Sequence, residues 1–425
     1  MGTSVTRHLS PKEIARLQDS KEAIEKMNPG AASGEFVFFA AFDGTNNDKN
    51  NLALSGSPYQ TNIANLYDQA EANETRRLIS AYYPGVGTGG EAGNLLNAAF
   101  LPTAPVRATA ERALSDLSGR AHAYLRNHPT VTPSDLSVAT IGFSRGTASE
   151  VIFAQLLEER GLVLSDGTQV APPGAVRVTA MVMIDPVHTF ITDDLSLPPN
   201  VQGNVLVFRA EDEHRTDFRL ADYSADPRVH VVSLPGNHSG LGGGYDLRGT
   251  AAVVLEGTTA YLRNSGVDIA PVPASLRFDP THPAPIYTEG YQTARNGDVL
   301  SNPDTGKPAT VWRLDDRDKA RIGVPATPAR EDQKDWVPVT DLDRLVERLY
   351  QAAISNDEAY RRQETHAATQ QYLSTPDGRS WMQEVGDYQR EQQAALEQEQ
   401  QRQAQEEQAH QHKHKHLALA LSMQM

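Results

Sequence analysis

The segment DLSVATIGFSRGTASEVIFAQLLEERG, residues 135–161, joins an apolar run to a segment with helical spacing. The run LSVATIGF suits a strand, and the residues that follow suit a helix ending at Gly161. Between them, Gly142, Ser144 and Gly146 form a G-x-S-x-G pattern. A serine in a strained strand-to-helix turn, flanked by glycines that leave room for it, is typical of a nucleophile elbow. The alternative is an ordinary turn with a capping serine.

The rest of the chain alternates between strand and helix patterns. The run EFVFFAAFDG, residues 35–44, is almost continuously apolar and ends in turn residues, as expected for a strand buried on both faces. This alternation predicts an α/β fold, with a mainly parallel sheet flanked by helices. Further strands are predicted at residues 76–87, 135–144, 175–185, 204–210 and 228–236, and helices at 61–73, 107–128, 145–161 and 246–266.

Composition divides the chain into four predicted regions. Residues 1–33 predict an N-terminal helix and a linker, and residues 34–265 form the predicted catalytic α/β domain. Residues 266–340 are rich in Pro, Gly and Asp, which indicates an irregular elaboration or a lid. Residues 341–425 return to helical patterns and end in a tail rich in Gln, Glu and His, for which we expect an exposed helix or disorder.

The 425-residue chain has a net charge of -15 and contains no cysteine. The negative charge argues against nucleic acid as a partner, because phosphate backbones are bound by clustered basic side chains. Without cysteine there is no disulfide and no thiolate metal site. No apolar run reaches the roughly 20 residues that span a bilayer, and the N-terminus lacks the apolar core of a Sec signal peptide. We therefore expect a protein that is cytoplasmic in the cell that makes it.

A catalytic serine needs a base, and the base needs a carboxylate that orients it. In α/β-hydrolases the acid and then the histidine follow the serine along the chain, each at the C-terminal end of a strand. Asp185 follows the apolar strand VTAMVMI, and His238 lies just past another strand in the glycine-rich loop PGNHSGLGGG. These positions predict a triad of Ser144, Asp185 and His238.

Other residues compete for the same two roles. Asp212, between two glutamates, follows the strand NVLVFRA and is an alternative acid. Three further histidines are weaker candidates for the base, because His188 is close in sequence to Asp185, His214 lies in a charged loop and His230 lies within a strand.

The segment FDGTNNDKNN, residues 42–51, follows the first buried strand, where hydrolases build part of the oxyanion hole. We expect oxyanion donors among the N–H groups of Arg145, Gly44 and Thr45. The negative charge of Asp43 would oppose catalysis beside an oxyanion unless hydrogen bonds hold the carboxylate away. We therefore expect Asp43 to brace the elbow, through Arg145. One alternative is a Ca²⁺ site, with oxygen ligands from Asp43, Asn46 and Asp48. Another alternative is an Asx-rich turn without a bound ion. Apart from this possible Ca²⁺, we expect that the protein requires no cofactor.

The segment NLLNAAFLPTAPV, residues 94–106, is apolar for a loop. It suits an acyl-chain groove or a contact with membrane lipid, and it suits buried packing equally well.

Five separated motifs together resemble a known family. AAFDGTNND, YYPGVGT, IGFSRGTAS, MIDPV and LPGNHSGLGGGY occur in the order found in the α/β-hydrolase family, formerly of unknown function, that includes type VI secretion lipase effectors. The resemblance covers roughly residues 35–262. The sequence differs from the family pattern at Thr147, where alanine is usual, and at Asn237 and Gly240, which flank the histidine. These differences bear on substrate preference more than on the triad.

The resemblance implies ester hydrolysis, commonly as a phospholipase A on bacterial membrane lipids, and it places the nucleophile, acid and base on Ser144, Asp185 and His238. It also implies release by a specialised secretion system toward a target cell, transient contact with a membrane surface, a secretion-machinery partner and an immunity protein. Two alternatives stay open: a non-catalytic module for delivery or interaction, and a hydrolase of a soluble ester.

Overall fold

The computed structural model describes residues 3–93, 102–213, 218, 220–245 and 248–291, together with residues 363 and 367. The chain divides into two compact units, Met1–Arg361 and Arg362–Met425, and the elements below belong to the first. The features predicted at residues 292–340, and in most of 94–106 and 341–425, lie outside the described residues, as does His214.

A parallel sheet forms the centre of the first unit and confirms the predicted α/β fold. Its strands are β2 Phe36–Phe42, β3 Leu78–Tyr83, β4 Leu136–Phe143, β7 Arg177–Ile184, β8 Val205–Ala210 and β9 Val229–Leu234. Their order in the sheet is β3-β2-β4-β7-β8-β9, and every pair of neighbours is parallel. The strand with the G-x-S-x-G serine at its end is β4, between β2 and β7.

Helices cover both faces of this sheet. The helices are α1 Pro11–Glu25, α2 Asn62–Glu71, α3 Thr103–Asn127, α4 Gly146–Arg160, α5 His238–Gly242 and α6 Gly249–Asn264. The core on one face is shared with α3 and α4, and the core on the other with α1, α2 and α6. Because both faces are covered, every residue of β4 is buried, as its mostly apolar sequence predicts. Within the described ranges, no helix has the length and apolarity needed to cross a bilayer.

Two smaller strand pairs are absent from the sequence prediction. Thr3–Arg7 (β1) pairs antiparallel with Ile286–Tyr291 (β10), and Leu162–Val163 (β5) pairs with Gln169–Ala171 (β6). The predicted N-terminal helix is present as α1. It begins with a capping box between Ser10 and Glu13, which satisfies amides of its first turn.

The parallel arrangement brings the candidate residues to one edge of the sheet. Asp43 follows β2, Ser144 follows β4 and Asp185 follows β7, while His238 begins α5 shortly after β9. The carboxyl ends of parallel strands share an edge, and ligands of open α/β sheets bind there.

Candidate active site

Ser144 occupies the sharp turn between β4 and α4. Its φ of 55° lies in the left-handed region, where a non-glycine backbone is strained. A hydrogen bond from its N–H to the carbonyl of Ile184, 3.1 Å long, ties the turn to the end of β7. This is the strand–turn–helix geometry of a nucleophile elbow.

The two glycines of the motif are required by close backbone approaches. A Cβ on Gly146 would lie 2.3 Å from the carbonyl oxygen of Phe42, and one on Gly142 would lie 2.8 Å from Cα of Thr147. Both distances are shorter than any real Cβ contact, so a side chain at either position would push the helix away from the strand.

Asp185 and His238 are hydrogen-bonded to each other. His238 Nδ1 lies 2.6 Å from Asp185 Oδ2, and both side chains are buried. The other carboxylate oxygen, Oδ1, accepts the N–H of Ala210 at 2.8 Å, which fixes the carboxylate against β8. When the Asp185 carboxylate is ionised it can only accept, so Nδ1 then carries the proton of this hydrogen bond and Nε2 of a neutral ring is left as the acceptor.

Aromatic rings and a helix cap hold the imidazole. The ring of Phe143 stacks on His238 with centroids 4.6 Å apart, and the ring of Phe218 meets it edge-on at 4.9 Å. Asn237 caps α5 by accepting the N–H of Gly240 at 2.8 Å. His238 is therefore the first residue of a short helix rather than part of an open glycine-rich loop.

The alternative residues lie in other surroundings. Asp212 Oδ2 accepts the N–H of Gly236 at 2.7 Å, so this carboxylate braces the turn after β9, while Asp185 holds His238. His188 is fully buried, with Nε2 2.9 Å from Thr147 Oγ1. His230 lies within β9, where it is exposed.

Asp43 is the centre of a buried hydrogen-bond cluster. Its Oδ1 accepts the N–H of Gly44 at 2.8 Å, and its Oδ2 accepts the hydroxyls of Thr61 and Tyr82, each at 2.7 Å. Burial raises the pKa of the Asp43 carboxyl to about 6, against the lowering effect of these three donors. The phenol of Tyr82 also accepts the N–H of Lys49 at 2.9 Å. Asp43 thus holds both ends of the loop after β2.

This cluster changes two expectations for that loop. Gly44 N–H is used by Asp43, so it is not available as an oxyanion donor. Thr45 N–H has no hydrogen-bond partner anywhere in the described chain. The bracing partners of Asp43 are Gly44, Thr61 and Tyr82, whereas the guanidinium of Arg145 donates to Thr45 Oγ1 at 3.1 Å and to Thr189 O at 3.3 Å.

The same contacts oppose the calcium interpretation. A calcium ligand offers its lone pairs to the ion, whereas Asp43 receives three hydrogen bonds and Asp48 Oδ1 accepts the N–H of Asn50. Asn46 adopts a φ of 61° in the same turn. Among the described residues, no group of three or more His, Asp or Glu side chains is placed to hold a metal ion.

Ser144 and His238 line one cavity of about 370 Å³. Thr45 and Arg145 line it as well, and much of the remaining described lining is Ser and Asn, with the rings of Phe143 and Phe218 beside the imidazole. The cavity therefore combines a hydroxyl at a strained turn, a histidine oriented by a carboxylate, and backbone amides at the beginning of α4. This arrangement can support acyl transfer through a serine ester.

Residues 38–182 match the family model described as "T6SS, Phospholipase effector Tle1-like, catalytic domain", where T6SS is the type VI secretion system. The resemblance predicted from the sequence is confirmed over this segment. No match was found among curated proteins.

The solved structures that are similar to the chain include the following three. One is an uncharacterized protein from Pseudomonas aeruginosa, with 16% identity over 87% of this chain and 66% of that one and a TM-score of 0.39. The Tle1 effector bound to the VgrG spike has 19% identity over 52% of this chain and 53% of that one, with a TM-score of 0.36. Esterase PE8 has 17% identity over 56% and 95%, with a TM-score of 0.30. The chain thus spans less than two thirds of the first two proteins.

Several residues of the site lie outside the sequence prediction. The motif YYPGVG pointed to the loop after β3 but not to the Tyr82 phenol, and Thr61 is recognisable only as a helix N-cap. Glu213 Oε2 accepts the N–H of His238 at 3.2 Å, although the sequence suggested it only as a neighbour of Asp212. Phe143 is the variable residue of the elbow motif, and no sequence signal indicates its stacking on His238.

Proposed function

We propose that the chain is a serine hydrolase that cleaves the carboxylic esters of membrane phospholipids. Ser144 is the nucleophile, His238 the general base and Asp185 the carboxylate that orients it. The observation that carries this proposal is the 2.6 Å hydrogen bond between Asp185 and His238 in the cavity that Ser144 also lines.

The acylation half-reaction follows from these roles. His238 Nε2 removes the proton of Ser144 as its hydroxyl oxygen attacks the ester carbonyl, and the resulting imidazolium donates that proton to the leaving alcohol. Asp185 keeps the first proton on Nδ1 and stabilises the positive ring. A water molecule, activated by the same histidine, then releases the fatty acid and regenerates Ser144.

The negative oxygen of each tetrahedral intermediate needs hydrogen-bond donors. We assign Arg145 N–H, which follows the nucleophile, and Thr45 N–H, because Gly44 N–H is already bonded to Asp43. Loss of one such donor costs on the order of 10² to 10³ in kcat in serine hydrolases.

The substrate and route are supported by the family match over residues 38–182, whose description names phospholipase effectors of the type VI secretion system. We propose that the protein leaves its producer through that machinery, binds one of its components, and attacks the lipids of a target bacterium in transient contact with the membrane. An immunity protein in the producer would then protect it from its own product.

The deciding experiment compares wild type with Ser144→Ala for fatty acid release from phospholipid vesicles and for labelling by a fluorophosphonate. We expect labelling and release with wild type, and the loss of both in the variant. Ser149→Ala is the matched control, because Ser149 is buried one turn into α4 and bonds Val106 O at 3.0 Å. It should keep both signals. Fatty acid release that survives in Ser144→Ala would reject the nucleophile.

Further arms separate the alternatives. Labelling with turnover of short nitrophenyl esters but not of vesicles would assign a soluble ester as the substrate. Absence of labelling and turnover in wild type would indicate a non-catalytic module. Asp185→Asn should be far more damaging than Asp212→Asn, and the reverse order would move the acid to Asp212.

A further inference from the structure

The backbone carbonyl of Ser144 is held by three donors. Thr147 Oγ1 donates to it at 2.6 Å, and the N–H groups of Thr147 and Val187 approach it at 3.3 Å and 3.4 Å. Val187 lies two residues past Asp185, so this carbonyl connects the turn carrying the nucleophile to the turn carrying the acid.

The hydroxyl of Thr147 is itself held by His188. Its single proton is used by the carbonyl of Ser144, because a carbonyl oxygen can only accept. The contact of 2.9 Å between Thr147 Oγ1 and His188 Nε2 therefore has the imidazole N–H as its donor. Both side chains are fully buried, and the ring of Tyr223 meets His188 edge-on at 5.9 Å. A directed chain of hydrogen bonds runs from His188 through Thr147 to Ser144 O.

These hydrogen bonds also restrain the orientation of the Arg145 N–H. The carbonyl of Ser144 and the N–H of Arg145 belong to one planar trans peptide unit, in which they point in opposite directions. Fixing the carbonyl toward Thr147 and Val187 therefore fixes the N–H on the opposite side. Without the hydroxyl, the donors to this carbonyl among the described residues are two N–H groups at longer distances, which hold the peptide plane less firmly.

We propose that Thr147 and His188 are positioning residues that aim the Arg145 N–H at the oxyanion of the reaction. Neither side chain is placed on the substrate; both act through the Ser144–Arg145 peptide. The inference rests on the proposed serine hydrolase function. It also gives a role to a residue that differs from the usual alanine of the resembling family, because the hydroxyl at position 147 links His188 to the elbow.

The test uses Thr147→Val, which removes the hydroxyl and keeps the side-chain volume. Thr147→Ser keeps the hydroxyl and serves as the rescue. Thr259→Val is the matched control, because Thr259 Oγ1 also donates to a helix carbonyl, Leu255 O at 2.8 Å, and also contacts a second side chain, Gln69 at 3.0 Å. For each full-length variant we would measure kcat and KM on a nitrophenyl ester and the Ki of a boronic acid that forms a tetrahedral adduct, with active sites titrated by a fluorophosphonate.

We expect Thr147→Val to lower kcat roughly 10- to 100-fold, as for a displaced oxyanion donor. KM should stay within about twofold, and the Ki of the boronate should rise in parallel with the loss in kcat, because only the tetrahedral species uses the amide. Thr147→Ser and Thr259→Val should resemble wild type in both. A purely structural role would lower the melting temperature and the titrated fraction while leaving kcat and Ki per active site unchanged, which would overturn the inference.

His188 supplies a second, independent variant pair should Thr147→Val fold poorly. His188→Gln retains an N–H donor and should keep most of the activity, whereas His188→Phe should lower kcat in the same direction as Thr147→Val. The double variant Thr147→Val/His188→Phe should lose less kcat than the product of the two single losses, because both residues act through the Thr147 hydroxyl. Independent, multiplicative losses would overturn the inference. Wild type without turnover or labelling would remove the proposed function and this inference together, whereas active wild type with unaffected variants removes the inference alone.

Discussion

Asp43 shows how a carboxylate can lie beside the proposed oxyanion site without opposing the proposed reaction. Its carboxylate accepts hydrogen bonds from three donors, on Gly44, Thr61 and Tyr82, and among the described residues none of its hydrogen bonds involves the elbow serine. Thr61 caps α2 as well, since its hydroxyl accepts the N–H of Ala64 at 3.1 Å. One buried carboxylate thereby connects the end of β2, the beginning of α2 and the phenol at the end of β3.

The folded-state pKa of Asp43 determines how this cluster responds to pH. Burial raises it to about 6 from the usual 3.8, so between these values the folded state binds more protons than the unfolded state. The stabilising contribution of Asp43 protonation is therefore fully present below about pH 4 and is lost as the pH rises to about 6. Removing a donor from the ionised form raises the pKa of Asp43 further, and the loss then continues above pH 6.

Tyr82→Phe tests this behaviour. Hydrogen bonds to charged groups contribute about 1.5–3 kcal/mol, so we expect the free energy of unfolding to fall by about 2 kcal/mol at pH 8 and by less at pH 5, where Asp43 is protonated. Urea unfolding at the two pH values measures this. Tyr67→Phe is the control, because its phenol donates to the exposed Glu71 at 2.7 Å and should contribute little at either pH. An equal loss at both pH values would contradict the role of the ionised Asp43.

Chain order explains which site residues the sequence could predict. Ser144, Asp185 and His238 follow recognisable strands, and parallel strands bring their carboxyl ends together, so pattern alone indicated all three. The partners of Asp43 and the contact between Thr147 and His188 depend on side-chain directions within tight turns. Strand and helix periodicity carries no information on those directions, so neither was predictable.

At the scale of elements, the approach of α4 to β2 sets the position of the Arg145 amide, which we propose as an oxyanion donor. A Cβ on Gly146 would meet the carbonyl oxygens of Phe42 and Asp43 at 2.3 and 2.5 Å, so the first turn of the helix rests directly on the end of the strand. Because the colliding atoms belong to backbone, they cannot rotate away. A larger residue would displace the helix and, with it, the amide of Arg145.

Gly146→Ala should therefore reduce both stability and turnover. We expect a loss of about 1–3 kcal/mol in the free energy of unfolding and a lower kcat per titrated site. Gly119→Ala is the control within a helix, because a Cβ there meets nothing within 4 Å, and alanine in α3 should be neutral or stabilise by up to about 1 kcal/mol. Thermal and urea unfolding, together with nitrophenyl ester turnover, measure both. If Gly146→Ala behaved like Gly119→Ala, the close approach would have no functional consequence.

The elements that were predicted differ physically from those that were missed. The central strands have mostly apolar sequences, which are typical of strands buried on both faces. Accordingly, β4 and β7 lie where the sequence predicts them. The strands β1 and β10 pair with each other but are almost 280 residues apart in the sequence, and β5 has two residues. Such short, distant pairings leave no periodic signal. The short helix at His238 was not predicted, because its glycines are typical of a loop.

At the scale of the whole molecule, the N-terminal helix packs into the core of the α/β unit. Leu17 and Ile24 of α1 are fully buried in the same cluster as residues of α6 and of the sheet, and Lys21 pairs with Glu256 of α6 at 2.9 Å. From composition, the predicted region 1–33 was a helix and a linker ahead of the catalytic domain. Most of α1 is polar, so its sequence gave little sign of the two apolar side chains, about two turns apart on one face, that make this contact.

Leu17→Ala measures how far α1 belongs to the cooperative unit that carries the site. Removing a fully buried leucine costs about 2–5 kcal/mol when its surroundings do not collapse, so we expect a loss of that size in urea unfolding, in a single transition. Turnover per fluorophosphonate-labelled site should stay at the wild-type value, because Leu17 does not line the cavity of Ser144 and His238. Val231→Ala, on the exposed side of β9, should change the unfolding free energy by no more than about 0.5 kcal/mol. An unchanged main transition in Leu17→Ala, or a separate early one, would mean that α1 folds apart from the sheet.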